Sequence, residues 1–134
     1  MRAPEPEVVA GLRVVATPAA IDAASWPAGA VVLRLAPDDA LLLDVGAGAR
    51  VELADPDAIV ERDAGFAVVE LREPEASALL ARVCAWRLPA ERPALAQGAV
   101  AGLPARLWLD VERVRVLVPA PLAGELADRL GAAT

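Results

Sequence analysis

Histidine, lysine, tyrosine and asparagine are absent from the 134 residues, and all 13 basic side chains are arginine. Each absence removes a class of chemistry. Without histidine there is no Ser–His or Cys–His dyad, and without lysine no Schiff base. The usual proton shuttle near neutral pH is missing, so carboxylates are left as the general acids or bases. Hydroxyls are confined to Thr17, Ser25, Ser77 and Thr134, and one thiol, Cys84, stands alone. A single cysteine without histidine cannot assemble a zinc or copper site. No catalytic and no metal-ligating residue is assigned, and a binding or assembly protein is expected rather than a self-sufficient enzyme.

Charge narrows the partners. The net charge is −6 and the isoelectric point about 4.6, a field that repels phosphate backbones. The arginines are scattered from Arg2 to Arg129, with no basic run and no aromatic platform, so nucleic acid is not an expected partner. The longest uncharged stretch, Pro93–Ala105, holds two prolines and two glycines. It falls short of the roughly 18–20 apolar residues that span a bilayer. Met1–Glu7 carries acids and prolines where an export signal needs a basic and then an apolar region. One cysteine gives no intramolecular disulfide and suits a reducing compartment. A cytoplasmic protein with no membrane partner is the expectation.

What is present is an apolar chain. Hydrophobic residues make up 57% and charged residues 24%, with a mean hydropathy of +0.45. That is too apolar for a disordered chain, and a chain of this length buries roughly two thirds of its unfolded surface. The expected organisation is a loose tail over residues 1–7 and a single domain over 8–134.

The pattern along the chain reads as strands with a few helices. Val8–Ala16 is a strand, and Thr17-Pro18 is a helix start whose helix can run only a turn or two before Pro27. Ala30–Leu35 and Ala40–Val45 flank Pro37-Asp38-Asp39 as a hairpin. Val51–Leu53 reads as a short edge strand. Ile59–Arg62 and Phe66–Leu71 read as a second hairpin around Asp63-Ala64-Gly65. A helix starts at Pro74 between Glu73 and Glu75, with Ala76, Leu79, Leu80 and Val83 on one face, and reaches Trp86 before Pro89 stops it. Residues 88–98 read as a loop. Arg106–Val111 and Val114–Val118 alternate as a further hairpin, and Pro121 opens a last helix that Gly131 closes. The predicted class is α+β: an antiparallel sheet with helices packed on one face, in a repeated ββα pattern.

Four side chains stand out as candidate ligand or interface residues. Trp108 shares a strand face with Arg106, and Arg113 and Arg115 flank that face. Guanidinium groups pair with carboxylates through two parallel bonds, and tryptophan is a preferred anchor at protein interfaces. The plainer reading is a solvated strand face balanced by Asp110 and Glu112. Cys84 reads as a small apolar residue on a helix rather than a reactive thiol. The close carboxylates Asp38-Asp39, Asp55/Asp57 and Glu73/Glu75 sit at turns or helix starts, where acids are structurally preferred. Gly46-Ala47-Gly48-Ala49-Arg50 lacks the Gly-Lys-Ser/Thr of a phosphate loop.

From Leu33 to Leu130 the chain resembles the small gamma subunit of heterotetrameric sarcosine oxidases. That subunit is itself similar to the first domain of the glycine-cleavage aminomethyltransferase, folate-binding group. The resemblance is carried by Arg34-Leu35-Ala36-Pro37-Asp38-Asp39-Ala40-Leu41-Leu42-Leu43 and by Phe66–Ala76 leading into a helix. Leu79-Leu80 and Cys84 follow in that helix, then Gly98-Ala99-Val100, Leu107-Trp108-Leu109 and Val116-Leu117-Val118-Pro119. Residues 1–30 have no counterpart in it.

The resemblance implies an accessory subunit that holds no redox centre of its own and packs against larger flavin-containing oxidoreductase subunits. It also implies a fold like the aminomethyltransferase domain. The folate-dependent relatives place a catalytic aspartate just before the strand equivalent to Arg106–Val111. Here that stretch is Ala101-Gly102-Leu103-Pro104, with no acid, and Asp110 at the far end of the strand is not a match. No cofactor is therefore expected on this chain alone. Two other readings stand beside it: a small tetrahydrofolate- or carboxylate-binding protein using Trp108, Arg106, Arg113 and Arg115, and a self-associating domain of unrelated role.

Overall fold

A computed structural model describes residues 4–134. Two compact units emerge: Ala10–Ala64 is one, and Gly65–Thr134 with the described residues preceding Ala10 is the other. Of the expected tail, residues 1–3 lie outside the described residues.

The first unit is built from β1 (Glu7–Val15) from Ala10 onward, α1 (Pro18–Asp22), β2 (Val31–Ala36), β3 (Asp39–Leu43) and the start of β4 (Ile59–Arg72). Its strands lie in the order β2-β3-β1-β4, with the β1–β3 and β2–β3 pairs antiparallel. Thr17 caps α1 as its sequence suggested, its Oγ1 accepting the Ala20 N–H at 3.2 Å. β2 and β3 form the expected hairpin, with an irregularity between Arg34 and Ala36. Leu12, Val14, Ala16, Ala20, Ile21, Ala40 and Leu42 make its core, with Trp26 packed against it. The hydrogen bonds of Arg34 gather this end. Its guanidinium donates to the carbonyls of Ala36 and Pro37 and to Asp22 Oδ1 at 2.8 Å, tying the hairpin turn to α1.

The main ionic feature of this unit is Arg13. It holds Asp39 through two bonds of 2.5 and 2.7 Å, and its Nη1 reaches Asp63 Oδ2 at 2.8 Å. All three side chains are mostly covered, at 27%, 22% and 19% exposure. Hydrogen bonding to Asp39, and then to Asp63, lifts the Arg13 pKa above its ordinary value despite the opposing effect of burial. This cluster also corrects the expected hairpin at Asp63-Ala64-Gly65. β4 runs without a break from Ile59 to Arg72. The Asp63 carboxylate accepts from Arg13 across the sheet. The loss of that turn removes the repeated ββα pattern: from Ile59 onward the order is β–α–β–β–β–α.

The second unit contains the rest of β4, α2 (Glu75–Val83), β5 (Ala94–Val100), β6 (Leu103–Leu109), β7 (Arg113–Pro119) and α3 (Ala123–Ala133). Its strands lie in the antiparallel order β4-β7-β6-β5. Side chains alternate across a strand, and here every second residue joins one core. Ala67, Val69 and Leu71 meet Leu107, Leu109, Val114, Val116 and Val118, and the layer is closed by Leu79 and Leu80 of α2 and by Leu126 and Leu130 of α3. Both helices thus cover one sheet face, as expected of an α+β chain. Each fully buried Leu or Val contributes about 1.5–3 kcal/mol.

Two boundaries differ from the sequence expectation. The helix α2 ends at Val83 and not near Pro89, because the Val83 carbonyl accepts the Ala101 N–H at 2.8 Å and Cys84 turns extended. Residues 94–100, expected to lie in a loop, form β5 opposite β6 in unbroken register. Their alanines and glycine carry little strand preference, and the pairing comes from the β6 partner. The β5–β6 turn is Ala101-Gly102, both with positive φ (51° and 79°), the tight hairpin geometry that matches strand twist. Ala101 sits in a region costly to a residue with a Cβ. It is held from both helices: by Val83, and by Arg129 Nη1, which donates to the Ala101 carbonyl at 2.7 Å. Val51–Leu53 is reduced to a single bridge between Ser25 and Glu52.

Trp86 follows α2 and lays its indole against β5. Its Nε1–H donates to the Ala99 carbonyl at 2.8 Å, and a Cβ on Gly98 would clash with the ring. A Gly98→Ala variant is expected to lose about 1–3 kcal/mol in urea unfolding through overpacking. Gly124→Ala, where a Cβ meets nothing, should gain up to about 1 kcal/mol from helix propensity. In the other unit, Arg13→Ala strands two covered carboxylates and is expected to cost about 2 kcal/mol. Equal midpoints for wild type and Arg13→Ala would show that the cluster contributes nothing.

Candidate functional site

The alternation that sends Leu107, Leu109, Val114 and Val116 into the core sends Arg106, Trp108, Arg113 and Arg115 to the opposite sheet face. All four predicted residues therefore share one sheet face. Trp108 stands opposite Arg115 on β7 and Leu95 on β5, and Arg106 stands opposite Leu117 and Gln97. On the β4 side Arg115 neighbours Glu70, and Arg113 neighbours Arg72.

Their environments separate them into two pairs. Arg113 Nη1 donates to Glu70 Oε1 at 2.6 Å, and Arg115 is buried at 6% exposure and engaged in further interactions. Arg113 is thus held within the sheet, and Arg115 is engaged. Arg106 and Trp108 are half-buried and have no hydrogen-bond or ion-pair partner among the described residues. Arg106 borders a crevice of about 90 Å³ with Phe66, Gln97 and Leu117. The three arginines and one tryptophan read from sequence as one cluster are, in the fold, two engaged arginines beside a guanidinium and an indole that have no partner among the described residues.

Arg72, which the sequence did not single out, belongs to this surface. It faces Arg113 across β4 and β7, a like-charge pair that is unfavourable unless an acid intervenes; Glu70 supplies that acid to Arg113. Arg72 and Arg113 border a polar hollow of about 390 Å³ with Asp110, Val111 and Glu112. Only the β4–β7 pairing unites Arg72 with the later strands, so local sequence carries no signal of it. A second hollow of about 400 Å³ is mostly apolar and lies between the end of β4 and α2, lined by Leu71, Ala76 and Leu79 with Glu70, Arg72 and Glu75.

The remaining groups are structural. Glu73 accepts from the Ser77 N–H and Oγ, each at 2.7 Å, and so satisfies the start of α2. Its own N–H donates to the Glu112 carbonyl, and Arg92 donates to the Asp110 carbonyl at 2.8 Å, so both brace the β6–β7 turn. Cys84 is half-buried at the end of α2, and burial pushes its thiol pKa up. Among the described residues no cluster of three or more His, Cys, Asp or Glu side chains is placed to hold a metal ion. No helix among them is long and apolar enough to cross a membrane.

Comparison with known proteins places the fold. No protein-family model matches the chain, and no curated protein matches it. Among solved structures, the chain is similar to one from the heterotetrameric sarcosine oxidase of Corynebacterium sp. U-96, solved in complex with pyrrole 2-carboxylate. The TM-score is 0.70 and the identity 20%, over 96% of this chain and 80% of that one. The fold is that of a sarcosine oxidase subunit.

The raised thiol pKa of Cys84 has a measurable consequence. Less thiolate exists at pH 8 than for a free cysteine, so iodoacetamide should alkylate Cys84 more slowly than a model thiol, with the gap narrowing as pH rises. A rate equal to or above that of the model thiol at pH 8 would contradict this placement.

Proposed function

We propose that this chain is a non-catalytic accessory subunit, of the kind its sequence resemblance to the gamma subunit implies, which packs against larger flavin-containing oxidoreductase partners. The observation that carries the reading is the fold shared with a chain of a heterotetrameric enzyme over 96% of this sequence. The chemistry agrees: a chain with no histidine or lysine and one suppressed thiol has little with which to catalyse alone. Its contribution is geometric, a sheet stiffened by two helices that holds partner chains in register. Recombinant chain alone is expected to self-associate or precipitate, whereas co-expression with its partner subunits gives a stoichiometric complex. A well-behaved monomer that forms no complex with such subunits would refute the reading.

The alternative of a small tetrahydrofolate- or carboxylate-binding protein rests on Arg106 and Trp108, the two candidates without partners on the sheet face. Titration with tetrahydrofolate should quench Trp108 if that reading holds, and a Trp108→Phe variant should lose the quench. Unchanged fluorescence at millimolar ligand removes it. Self-association as the native state would instead appear in light scattering as a stable homo-oligomer.

A further inference from the structure

We propose that the free edge of β5 docks an extended, carboxylate-bearing segment of the partner subunit as an added strand. This rests on the accessory-subunit reading and specifies how the partner is held. β5 is the terminal strand of its sheet. The tight Ala101-Gly102 turn makes Val100 and Leu103 the closing hydrogen-bonded pair, so Val100, Gly98 and Ala96 point their backbone groups at β6. Leu95, Gln97 and Ala99 then point theirs outward. Trp86 confirms the phase, since its Nε1–H donates to the outward Ala99 carbonyl. That bond occupies one acceptor on the edge. The N–H and C=O groups of Leu95 and Gln97 are left as a template for another strand.

Proteins ordinarily guard such edges with charged side chains, proline or a bulge. Between Ala94 and Val100 there is no charge and no proline, and the β5–β6 register contains no shift. The contrast with β2 is direct, because β2 carries Arg34 and an irregularity at Arg34/Ala36. An unguarded, regular edge is a surface for strand addition.

Charge identifies the occupant. Beside the edge, on the non-helical face, Arg106 stands next to Gln97 and has no partner among the described residues, and Trp108 stands next to Leu95. A second copy of this chain would bring another Arg106 guanidinium toward the first. The Trp86 bond at Ala99 also blocks symmetric pairing about Gln97, which needs Ala99 to face Leu95 of the other copy. A partner strand with an acidic side chain on the Arg106 face meets neither objection, and it gives that guanidinium a carboxylate.

The test uses the full chain in complex with its partner subunits. Amide hydrogen exchange should slow at Leu95 and Gln97 by about 100-fold or more on complex formation. Gln97→Pro removes an outward donor and no bond within the sheet, and should weaken the complex about 10-fold or more. Arg106→Glu should weaken it by a similar factor, and Arg50→Glu, the same charge change on a loop of the other unit, should not. A complex that forms with exchange at Leu95 and Gln97 unchanged overturns this proposal while leaving the accessory-subunit reading intact. So does a homodimer of the isolated chain that Gln97→Pro dissolves. Absence of any hetero-complex overturns both.

Discussion

The two-residue period of β6 and β7 is the constraint on which the second unit depends. One phase of that alternation, Leu107, Leu109, Val114, Val116 and Val118, builds the layer that α2 and α3 cover. The other phase places Arg106, Trp108, Arg113 and Arg115 together on the opposite face. A shift of one residue in either strand would turn Arg106 or Arg113 toward the helices and take leucine or valine side chains out of the layer they build. Core and candidate interface are therefore two consequences of a single register.

Arginine does much of the remaining work, in a way lysine could not. Its planar fork carries five donors and reaches several acceptors at once. Arg34 gathers the β2–β3 turn and α1, Arg82 reaches the Ala133 carbonyl near the end of α3, and Arg129 holds the left-handed Ala101. Arg92 braces the turn after β6. Arg13 bridges two aspartates from different strands. Against this background Arg106 is half-buried without a partner among the described residues, a position that a partner chain would explain.

Much of this was legible in the sequence where the local pattern is strong. The Pro37-Asp38 hairpin, the Thr17 cap, the β6–β7 alternation and the Glu73-Pro74-Glu75 helix start all follow from chemistry within a few residues. What failed depends on partners far along the chain. Asp63-Ala64-Gly65 has turn composition, yet Arg13 takes the aspartate and the strand continues. Ala94–Val100 has little strand character of its own and becomes β5 through β6. The end of α2 is set by Ala101, which no reading of Val83–Pro89 could anticipate. The candidate face was found as a set of residues, but its division into engaged and free arginines, and the membership of Arg72, came only with the β4–β7 pairing.

The central claim is that this chain supplies geometry to an assembly whose redox chemistry lies on other chains. Native mass measurement of the assembly purified from its own cells tests it most directly. The account predicts a hetero-oligomer containing this 13.8 kDa chain in fixed stoichiometry, with flavin retained on the larger chains after dissociation. A free monomer or homo-oligomer, or flavin that leaves with this chain, would contradict it.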